Sequence, residues 1–173
     1  MIYFIRHGET DYNKEGRFQG HLDIPLNANG IAQAEKARDE LAKFHFDLIY
    51  SSPLLRASRT AEIINEKQNV NLVLDDRIKE IYGGKIQGTR KDERSNDVQL
   101  LMYENPESLG IETSAHLCER VESFFKEIEN YDKDILIVAH GGVYRALYRY
   151  LNNIEGYDFE FKRIENATAI KLK

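Results

Sequence analysis

Apolar positions along this chain fall into two alternating patterns, short continuous runs and longer stretches with helical spacing. Continuous runs predict strands at residues 1–5, 46–50, 70–74 and 134–139, with a weaker strand at 167–172. Between the runs, apolar residues recur every three or four positions, which predicts helices with one buried face. The residues at helical spacing are Ile31, Ala34, Ala37, Leu41 and Phe44; Leu54, Ala57, Ala61 and Ile64; Leu117, Val121, Phe124 and Ile128; and the range 143–151. Strands that alternate with helices predict an α/β fold, a three-layer α/β/α sandwich around a mostly parallel sheet.

Cap and turn residues set the predicted boundaries, and a polar, glycine-bearing loop is expected after the first strand. Asn27 can cap the first long helix, and Ser52, which a proline follows, is a favourable start for the next one. Residues 82–112 contain four glycines and no sustained periodicity, so they predict a small polar lid with a short helix near 97–103. A chain of 173 residues suffices for about one domain, so we expect a single domain over 1–173 with this lid as an excursion.

Composition narrows the classes of partner. The net charge is −5 and the sequence pI is about 5.6, so a broad basic surface for nucleic acid is not expected. Cys118 is the only cysteine, which rules out an internal disulfide and fits a reducing compartment. The apolar runs are far shorter than the roughly 20 residues of a membrane helix, and Arg6 follows the first run too closely for a secretory signal. We therefore expect a cytoplasmic protein with no nucleic-acid and no membrane partner.

Two of the predicted strands run directly into a histidine. His7 follows the first strand and His140 follows the clearest buried strand, and a glycine comes after each histidine. Because ligands of parallel α/β sheets bind beyond the carboxyl ends of the strands, both histidines are expected at one edge of the sheet. Arg6 lies beside the first histidine. Ser52 ends another strand at the same edge, which brings the helix start that carries Arg56 nearby.

This set of side chains favours an anion over a metal ion. Metal sites pair neutral histidines with carboxylates or thiolates at suitable spacing, and neither an HExxH nor a CxxC pattern is present. Guanidinium groups would also repel a cation. Arginine forks match phosphate oxygens in bidentate contacts, and an unprotonated imidazole among such cations is a competent nucleophile for phosphorus. The sequence therefore predicts phosphate chemistry without a metal.

Four segments in a fixed order carry a family resemblance. They are FIRHGETDYN, SSPLLRASRTAE, IKEIYGGKIQG and VAHGGVYR, with LDIPLNANGIAQA also in place. Together they resemble the histidine phosphatase superfamily, in its phosphoglycerate-mutase-like branch, from about residue 4 to about residue 145. RHGET alone is moderately specific, whereas the ordered set of four segments is very specific.

The resemblance implies a role for each matching residue. His7 corresponds to the nucleophile that becomes a phosphohistidine, and Glu80 corresponds to the carboxylate that acts as acid and base. The implied phosphate pocket consists of Arg6, Arg56 and His140, and the implied substrate contacts are Asn13, Gln19, Gly20 and Gly141. Neither a metal nor a cofactor is implied.

The predicted lid is where the chain departs most from the family pattern. Gly83 stands where the family often has an aromatic residue, and Ile86-Gln87 stands where it often has Trp-Glu. In the helix that follows the lid, His116 occupies a position where aspartate is frequent. The lid also carries four cations, Lys85, Arg90, Lys91 and Arg94. They fit either a mixed-charge solvated loop or a cover that touches a second anionic group.

Three functions follow from the resemblance and the residues. The leading one is a phosphomonoester phosphatase that acts on a small phosphorylated metabolite through a phosphohistidine. A cofactor-dependent phosphoglycerate mutase is the alternative, although mutases of the family are longer than this chain. A non-catalytic phospholigand-binding module agrees poorly with an intact His7 and Glu80. The sequence decides neither the substrate nor whether the protein forms a homodimer.

Overall fold

A five-stranded sheet forms the centre of the protein in a computed structural model that describes all residues from 1 to 173. The strands are β1 (Ile2–Arg6), β2 (Leu48–Ser51), β3 (Asn71–Leu74), β4 (Ile135–Ala139) and β5 (Ala169–Lys171). Their order across the sheet is β3-β2-β4-β1-β5, and β5 alone runs antiparallel to its neighbour. The central strand β4 is buried along its whole length, as its unbroken apolar run predicts.

Helices cover both faces of the sheet. They are α1 (Asp11–Glu15), α2 (Ala28–Leu41), α3 (Leu55–Gln68), α4 (Asn96–Glu104), α5 (Ser114–Ile128) and α6 (Gly141–Leu151), and four 3₁₀ turns lie between β3 and α5. Successive residues of β4 point to opposite faces. Ile137 belongs to the apolar cluster of Val121 on α5, and Leu136 belongs to that of Ala37 on α2 and Ile64 on α3. The predicted α/β/α sandwich is confirmed. None of the helices combines the length and the apolar character that a membrane crossing requires.

The two predicted helix starts have different outcomes. Asn27 caps α2, and its side-chain oxygen accepts the Gly30 N–H at 2.8 Å. The predicted start at Ser52 is wrong, because α3 begins at Leu55 and its N-cap residue makes no side-chain hydrogen bond. The Ser52 hydroxyl lies instead 2.7 Å from Nε2 of His140, so a contact between two strand ends replaces the local cap.

Two other local predictions are corrected at α1 and α2. The sequence predicts a loop after β1, but Thr10 and Asn13 form a capping box that opens the short helix α1. The predicted α2 extends too far, since Phe44 lies beyond the helix and packs on Tyr3 with ring centroids 5.0 Å apart. Ile31, placed on the apolar face by its spacing, is 39% exposed.

Residues 82–112 are mostly polar but carry a small apolar cluster of their own. Ile86, Leu109 and Ile111 are buried together, and Phe18 from the loop after α1 packs against them. The helix predicted near 97–103 is present as α4. A single bridge between Arg17 and residue 90 also joins this segment to the loop after α1. The segment is therefore anchored to the loop that borders the edge where both histidines lie.

Candidate active site

The fold brings the two strand-end histidines together. His7 follows β1 and His140 follows β4, and these strands are parallel neighbours with Arg6 paired to Ala139. The two imidazole centroids are 5.2 Å apart. His7 is 2% exposed and His140 is 0% exposed, so both rings are surrounded by protein atoms and not by solvent.

The hydrogen bonds of His7 assign its tautomer. Nδ1 lies 2.7 Å from the Gly8 carbonyl, which can only accept, so Nδ1 carries the proton and Nε2 keeps its lone pair. Burial lowers the pKa of His7 well below its ordinary value, and the charges of Arg56 and Arg6 lower it further. A side chain in place of Gly8 would collide with the Gly30 carbonyl. The imidazole is thus neutral at pH 7, with a nucleophilic nitrogen free.

His140 is held by the serine that ends β2. Its Nε2 lies 2.7 Å from the Ser52 hydroxyl, which also accepts the Leu54 N–H at 3.3 Å. The hydroxyl hydrogen finds its acceptor in Nε2, which leaves the proton of His140 on Nδ1. Burial first, and then the charge of Arg56, lowers the pKa of His140 well below its ordinary value. His140 is therefore a neutral hydrogen-bond donor.

Two arginines reach the same place from β1 and α3. Arg6 donates from Nη1 to the Ile164 carbonyl at 2.9 Å. Arg56, 1% exposed, donates to the carbonyls of Leu22 and Gly20 at 2.9 and 2.8 Å. Burial lowers the pKa of Arg56 to about 10, so the guanidinium is still charged at neutral pH. Both cations are fixed by backbone carbonyls, and neither is neutralised by an ion pair.

Buried donors without a partner mark this part of the molecule. Only four buried side-chain nitrogen or oxygen atoms in the chain lack a hydrogen bond, and they are Nε of Arg6, Nε of Arg56, Nδ1 of His140 and Nε of Arg145. A buried donor left in this state costs about 1–3 kcal/mol. Three of the four belong to the predicted phosphate pocket. An oxyanion offers several acceptor oxygens at once, so it is the class of ligand that these donors suit.

Glu80 is held over the start of α6. Its carboxylate accepts the Ile81 N–H at 2.8 Å and the Gly142 N–H at 3.2 Å. A side chain at Gly142 would run into this carboxylate, which explains the second glycine after His140. The acid therefore lies beside the histidine edge and is oriented by backbone groups.

A cavity of about 620 Å³ gathers most of the predicted site. The predicted residues that line it are Arg6, His7, Asn13, Gln19, Gly20, Arg56, Glu80 and Gly141. His140 is not part of the lining and lies behind it. The further cations around the cavity are Arg17, Lys91, Arg94, Arg145 and Arg163, and Glu80 is the one carboxylate among the lining residues. The cavity is strongly positive although the whole chain is acidic. No group of three or more histidine, cysteine, aspartate or glutamate side chains is arranged to hold a metal ion.

The two amides of the lining are oriented by one threonine. Thr10 Oγ1 donates to the Gln19 side-chain oxygen at 2.9 Å and lies 3.1 Å from that of Asn13. The Thr10 backbone N–H also donates to Asn13 Oδ1 at 3.1 Å. Because both oxygens face Thr10, the NH₂ groups of both amides remain available to a ligand in the cavity.

The four lid cations separate into two pairs. Lys91 and Arg94 line the cavity, whereas Lys85 and Arg90 do not. Arg90 pairs with Asp92 at 3.0 Å in solvent. The solvated-loop interpretation therefore fits Lys85 and Arg90. Lys91 and Arg94 lie at the cavity, which is the position that a lid in contact with a second anionic group would require.

Three residues of the site are not among those that the sequence pattern predicts. Ser52 has the pattern of a helix cap, although its place at a strand end next to the histidine edge is a signal for a site contact. Arg145 lies four residues after Gly141 and so shares its face of α6, which was also a usable signal. Arg163 lies in the aperiodic segment between α6 and β5, and no pattern points to it.

Two buried neutral histidines predict a pH-dependent stability. Their pKa values are depressed in the folded state, so below about pH 6.5 the unfolded chain binds protons that the folded one does not. The free energy of unfolding should fall by up to about 1.4 kcal/mol per pH unit for each histidine between about pH 6.5 and 5. Urea unfolding across that range measures it, and His7→Gln should remove one histidine's share of the slope. A stability that is flat over this range would contradict the assignment.

Comparison with known proteins, by a family sequence model and by individual relatives, points to one family. The sequence model of the histidine phosphatase superfamily (branch 1) matches residues 2–173. The chain is 38% identical to the uncharacterized phosphatase PhoE of Bacillus subtilis, over 99% of this chain and 87% of that protein.

Two solved structures of proteins named as phosphatases resemble the fold of this chain. A mycobacterial glucosyl-3-phosphoglycerate phosphatase, solved in complex with VO3, matches with a TM-score of 0.83 and 30% identity, covering 97% of this chain and 90% of that one. The phosphoserine phosphatase of Entamoeba histolytica, solved in complex with 3-phosphoglyceric acid, matches with a TM-score of 0.79 and 31% identity. It covers 97% of this chain and 87% of that one.

Proposed function

The chain belongs to the histidine phosphatase superfamily (branch 1), and on that premise we propose which of its residues carry the phosphatase reaction. The reaction is the hydrolysis of a phosphomonoester through a phosphohistidine, without a metal ion. We assign the phosphohistidine to His7, the phosphate pocket to Arg6, Arg56 and His140, and the proton transfers to Glu80.

The buried donors without partners are the observation that carries this assignment. Arg6 and Arg56 line the cavity together with His7, and the ring of His140 lies 5.2 Å from that of His7, so a phosphoryl group beside His7 would offer three oxygens to Nε of Arg6, Nε of Arg56 and Nδ1 of His140. Preorganised donors of this kind are worth about 2.7–4 kcal/mol each in the transition state, because no reorganisation is needed when charge develops. Phosphoryl transfer depends mainly on such positioning and neutralisation.

The first step transfers the phosphoryl group to the enzyme. Nε2 of His7 attacks phosphorus, and the P–N bond forms as the ester P–O bond breaks. Glu80 acts as the general acid and gives a proton to the leaving oxygen, so that an alcohol departs. Nδ1 of His7 stays protonated throughout, and the Gly8 carbonyl stabilises the positive charge that the ring gains.

The second step returns the enzyme to its starting state. Glu80, now a carboxylate, takes a proton from a water molecule that attacks phosphorus from the side of the departed alcohol. The P–N bond breaks, inorganic phosphate forms, and His7 recovers the lone pair on Nε2. Glu80 is again protonated, so the cycle is balanced.

We assign the substrate to small phosphorylated metabolites. The cavity volume of about 620 Å³ lies within the range of sites for small ligands. Asn13, Gln19, Gly20 and Gly141 line it and are the proposed substrate contacts. Related structures carry names for phosphoglycerate-type compounds, which supports this class. A cytoplasmic location stays a prediction, and the homodimer stays open.

The phosphatase and mutase alternatives are separated by the fate of the phosphoryl group. With 3-phosphoglycerate as substrate, primed with 2,3-bisphosphoglycerate and assayed in EDTA, we expect inorganic phosphate as the main product. The reason is that exposed residues such as Lys91 and Arg163 border the cavity, so water can reach the intermediate. Efficient formation of 2-phosphoglycerate with little phosphate release would make the enzyme a mutase. Loss of turnover in EDTA, restored by Mg²⁺, would contradict the arginine pocket.

A further inference from the structure

The lining of the cavity includes two arginines that phosphoryl transfer does not use. Arg145 lies on α6, and Arg163 lies in the segment between α6 and β5. This segment is joined to the phosphate pocket, because the carbonyl of Ile164 accepts the hydrogen bond from Nη1 of Arg6 at 2.9 Å. Both arginines line the same cavity as the phosphate pocket, and the segment that carries Arg163 is bonded to it directly.

The hydrogen bonds of the cavity cations show which of them remain free for a ligand. Arg17 is paired with Glu15 at 2.6 Å and Glu93 at 3.1 Å. Arg94 is hydrogen-bonded within the lid, since its Nε and Nη2 both donate to Thr89 at 2.8 Å. Two cations have neither a hydrogen bond nor an ion pair to the protein, and they are Lys91 in the lid and Arg163. Of these two, Arg163 lies close enough to Arg6 for its charge to lower the pKa of Arg6.

Arg145 is held in place for binding but is only partly satisfied. Its Nη2 donates to the Tyr157 carbonyl at 2.7 Å, and its guanidinium lies 4.8 Å from the Phe159 ring centroid and 5.4 Å from that of Phe161. Its Nη1 has no protein partner, and its Nε is the fourth buried donor without one. The carbonyl and the two rings hold this guanidinium in place, and an anion that binds beside it would satisfy the free donors and offset the repulsion from the neighbouring cations.

We propose that Arg145 and Arg163 bind a second anionic group of the substrate, a carboxylate or a second phosphate, while the first phosphoryl group faces His7. This inference rests on the proposed function. The substrate class is then a phosphomonoester with two anionic groups on one small skeleton. Arginine forks bind both carboxylates and phosphates in bidentate contacts, which suits either group.

The test compares esters that differ in anionic groups beyond the phosphoryl group that is cleaved. 3-Phosphoglycerate carries one such group, a carboxylate, and 2,3-bisphosphoglycerate carries a carboxylate and a second phosphate, whereas in glycerol 3-phosphate a hydroxymethyl group replaces the carboxylate. We expect kcat/KM to favour the two esters with additional anionic groups by about 10-fold or more, as expected for a charged hydrogen bond. Arg163→Ala should reduce that preference by a similar factor, and Lys162→Ala, at the neighbouring exposed residue outside the cavity, should keep it.

Two outcomes separate this inference from the proposed function. If the wild-type enzyme hydrolyses p-nitrophenyl phosphate but shows no preference among the esters, or if Arg163→Ala leaves the preference intact, the second-anion site is overturned and the phosphatase stands. If p-nitrophenyl phosphate is not hydrolysed at all, the proposed function itself fails.

A separate observation concerns the backbone that presents Glu80. Arg120 on α5 donates from Nη1 to the carbonyls of Arg77 and Lys79, both at 2.7 Å, and from Nη2 to that of Glu80 at 3.0 Å. One side chain thus holds three carbonyls in the four residues that end at Glu80. Arg120 does not line the cavity, so it reaches the reaction only through this backbone.

Glu112 completes the arrangement from the other side. It forms a two-pronged ion pair with Arg120, at 2.7 and 2.8 Å, and it also accepts the Tyr82 N–H at 3.0 Å. The Arg120 guanidinium and these hydrogen bonds lower the pKa of Glu112 to about 2 although partial burial opposes them, so the pair stays charged at working pH. The chain is therefore fixed both before and after Glu80.

We infer that Arg120 and Glu112 are positioning residues for proton transfer by Glu80. If so, loss of the Arg120 hydrogen bonds lowers the rate with substrates whose leaving group needs a proton. The rate with substrates whose leaving group does not need one falls less. Arg120→Met, and Arg120→Lys as a milder variant that keeps the charge, should slow glycerol 3-phosphate hydrolysis about 10-fold more than p-nitrophenyl phosphate hydrolysis. Glu119→Gln, an exposed neighbour on α5, is the control and should leave the ratio unchanged.

A double variant distinguishes positioning from a general loss of structure. In the Glu80→Gln background, Arg120→Lys should slow glycerol 3-phosphate hydrolysis only slightly further, because the proton transfer that Arg120 supports is already lost. Equal losses with both leaving groups, or effects of Arg120→Lys and Glu80→Gln that simply multiply, would overturn the positioning role.

Discussion

His7→Ala is expected to lose turnover by a factor on the order of 10⁶, the scale at which a covalent hydrolase responds to loss of its nucleophile. The variant removes Nε2, which the Gly8 hydrogen bond leaves as the free nitrogen of the ring. Phosphate release from p-nitrophenyl phosphate and from 3-phosphoglycerate measures the loss. His45→Ala, at an exposed histidine outside the cavity, is the matched control and should keep wild-type turnover.

The fold of this variant should be retained. His7 is buried as a neutral ring among two guanidinium groups, so its removal leaves no buried charge without a partner. A folded His7→Ala protein that keeps more than about a hundredth of the wild-type rate would show that another group attacks phosphorus.

Glu80→Gln is expected to slow turnover of an alkyl phosphate by about 10²–10⁴-fold, the usual range for a lost general acid. Glutamine has nearly the same shape, and its one side-chain oxygen can accept either the Ile81 N–H or the Gly142 N–H that orient Glu80, though not both. What it cannot do is give a proton to the leaving oxygen. The loss should be much smaller for p-nitrophenyl phosphate, whose leaving group scarcely needs that proton.

The ratio of the two losses is the informative quantity. Rates with glycerol 3-phosphate and p-nitrophenyl phosphate are compared for the wild type, Glu80→Gln and the control Glu119→Gln. Equal losses with both substrates would mean that Glu80 acts on binding or on water alone, and its assignment as the acid of the first step would be withdrawn.

The parts of this structure that the sequence predicts are those governed by local pattern. The run Ile135–Ala139 is apolar at every position, which is typical of a short strand covered on both faces, and it is the centre of the sheet. Since His7 and His140 each follow such a strand, their meeting at one edge follows from parallel topology. The family motifs then implied roles that spacing alone did not give.

The parts that were missed depend on contacts between distant segments. Ser52 has the composition of a helix cap, but its hydroxyl bonds to His140, 88 positions away in the chain. The same holds for Arg163, which lies at the cavity because the segment before β5 returns beside Arg6. Neither placement leaves a periodic signal, because each is decided by tertiary hydrogen bonds rather than by local propensity.

The most direct test of the account is to find where the phosphoryl group is bound during turnover. Enzyme mixed with labelled phosphomonoester is quenched within milliseconds in base, and its peptides are mapped by mass spectrometry. We predict one phosphate on Nε2 of His7, stable in base, lost in acid and absent from His7→Ala. A phosphate on any other residue, or label that persists in His7→Ala, would contradict the account.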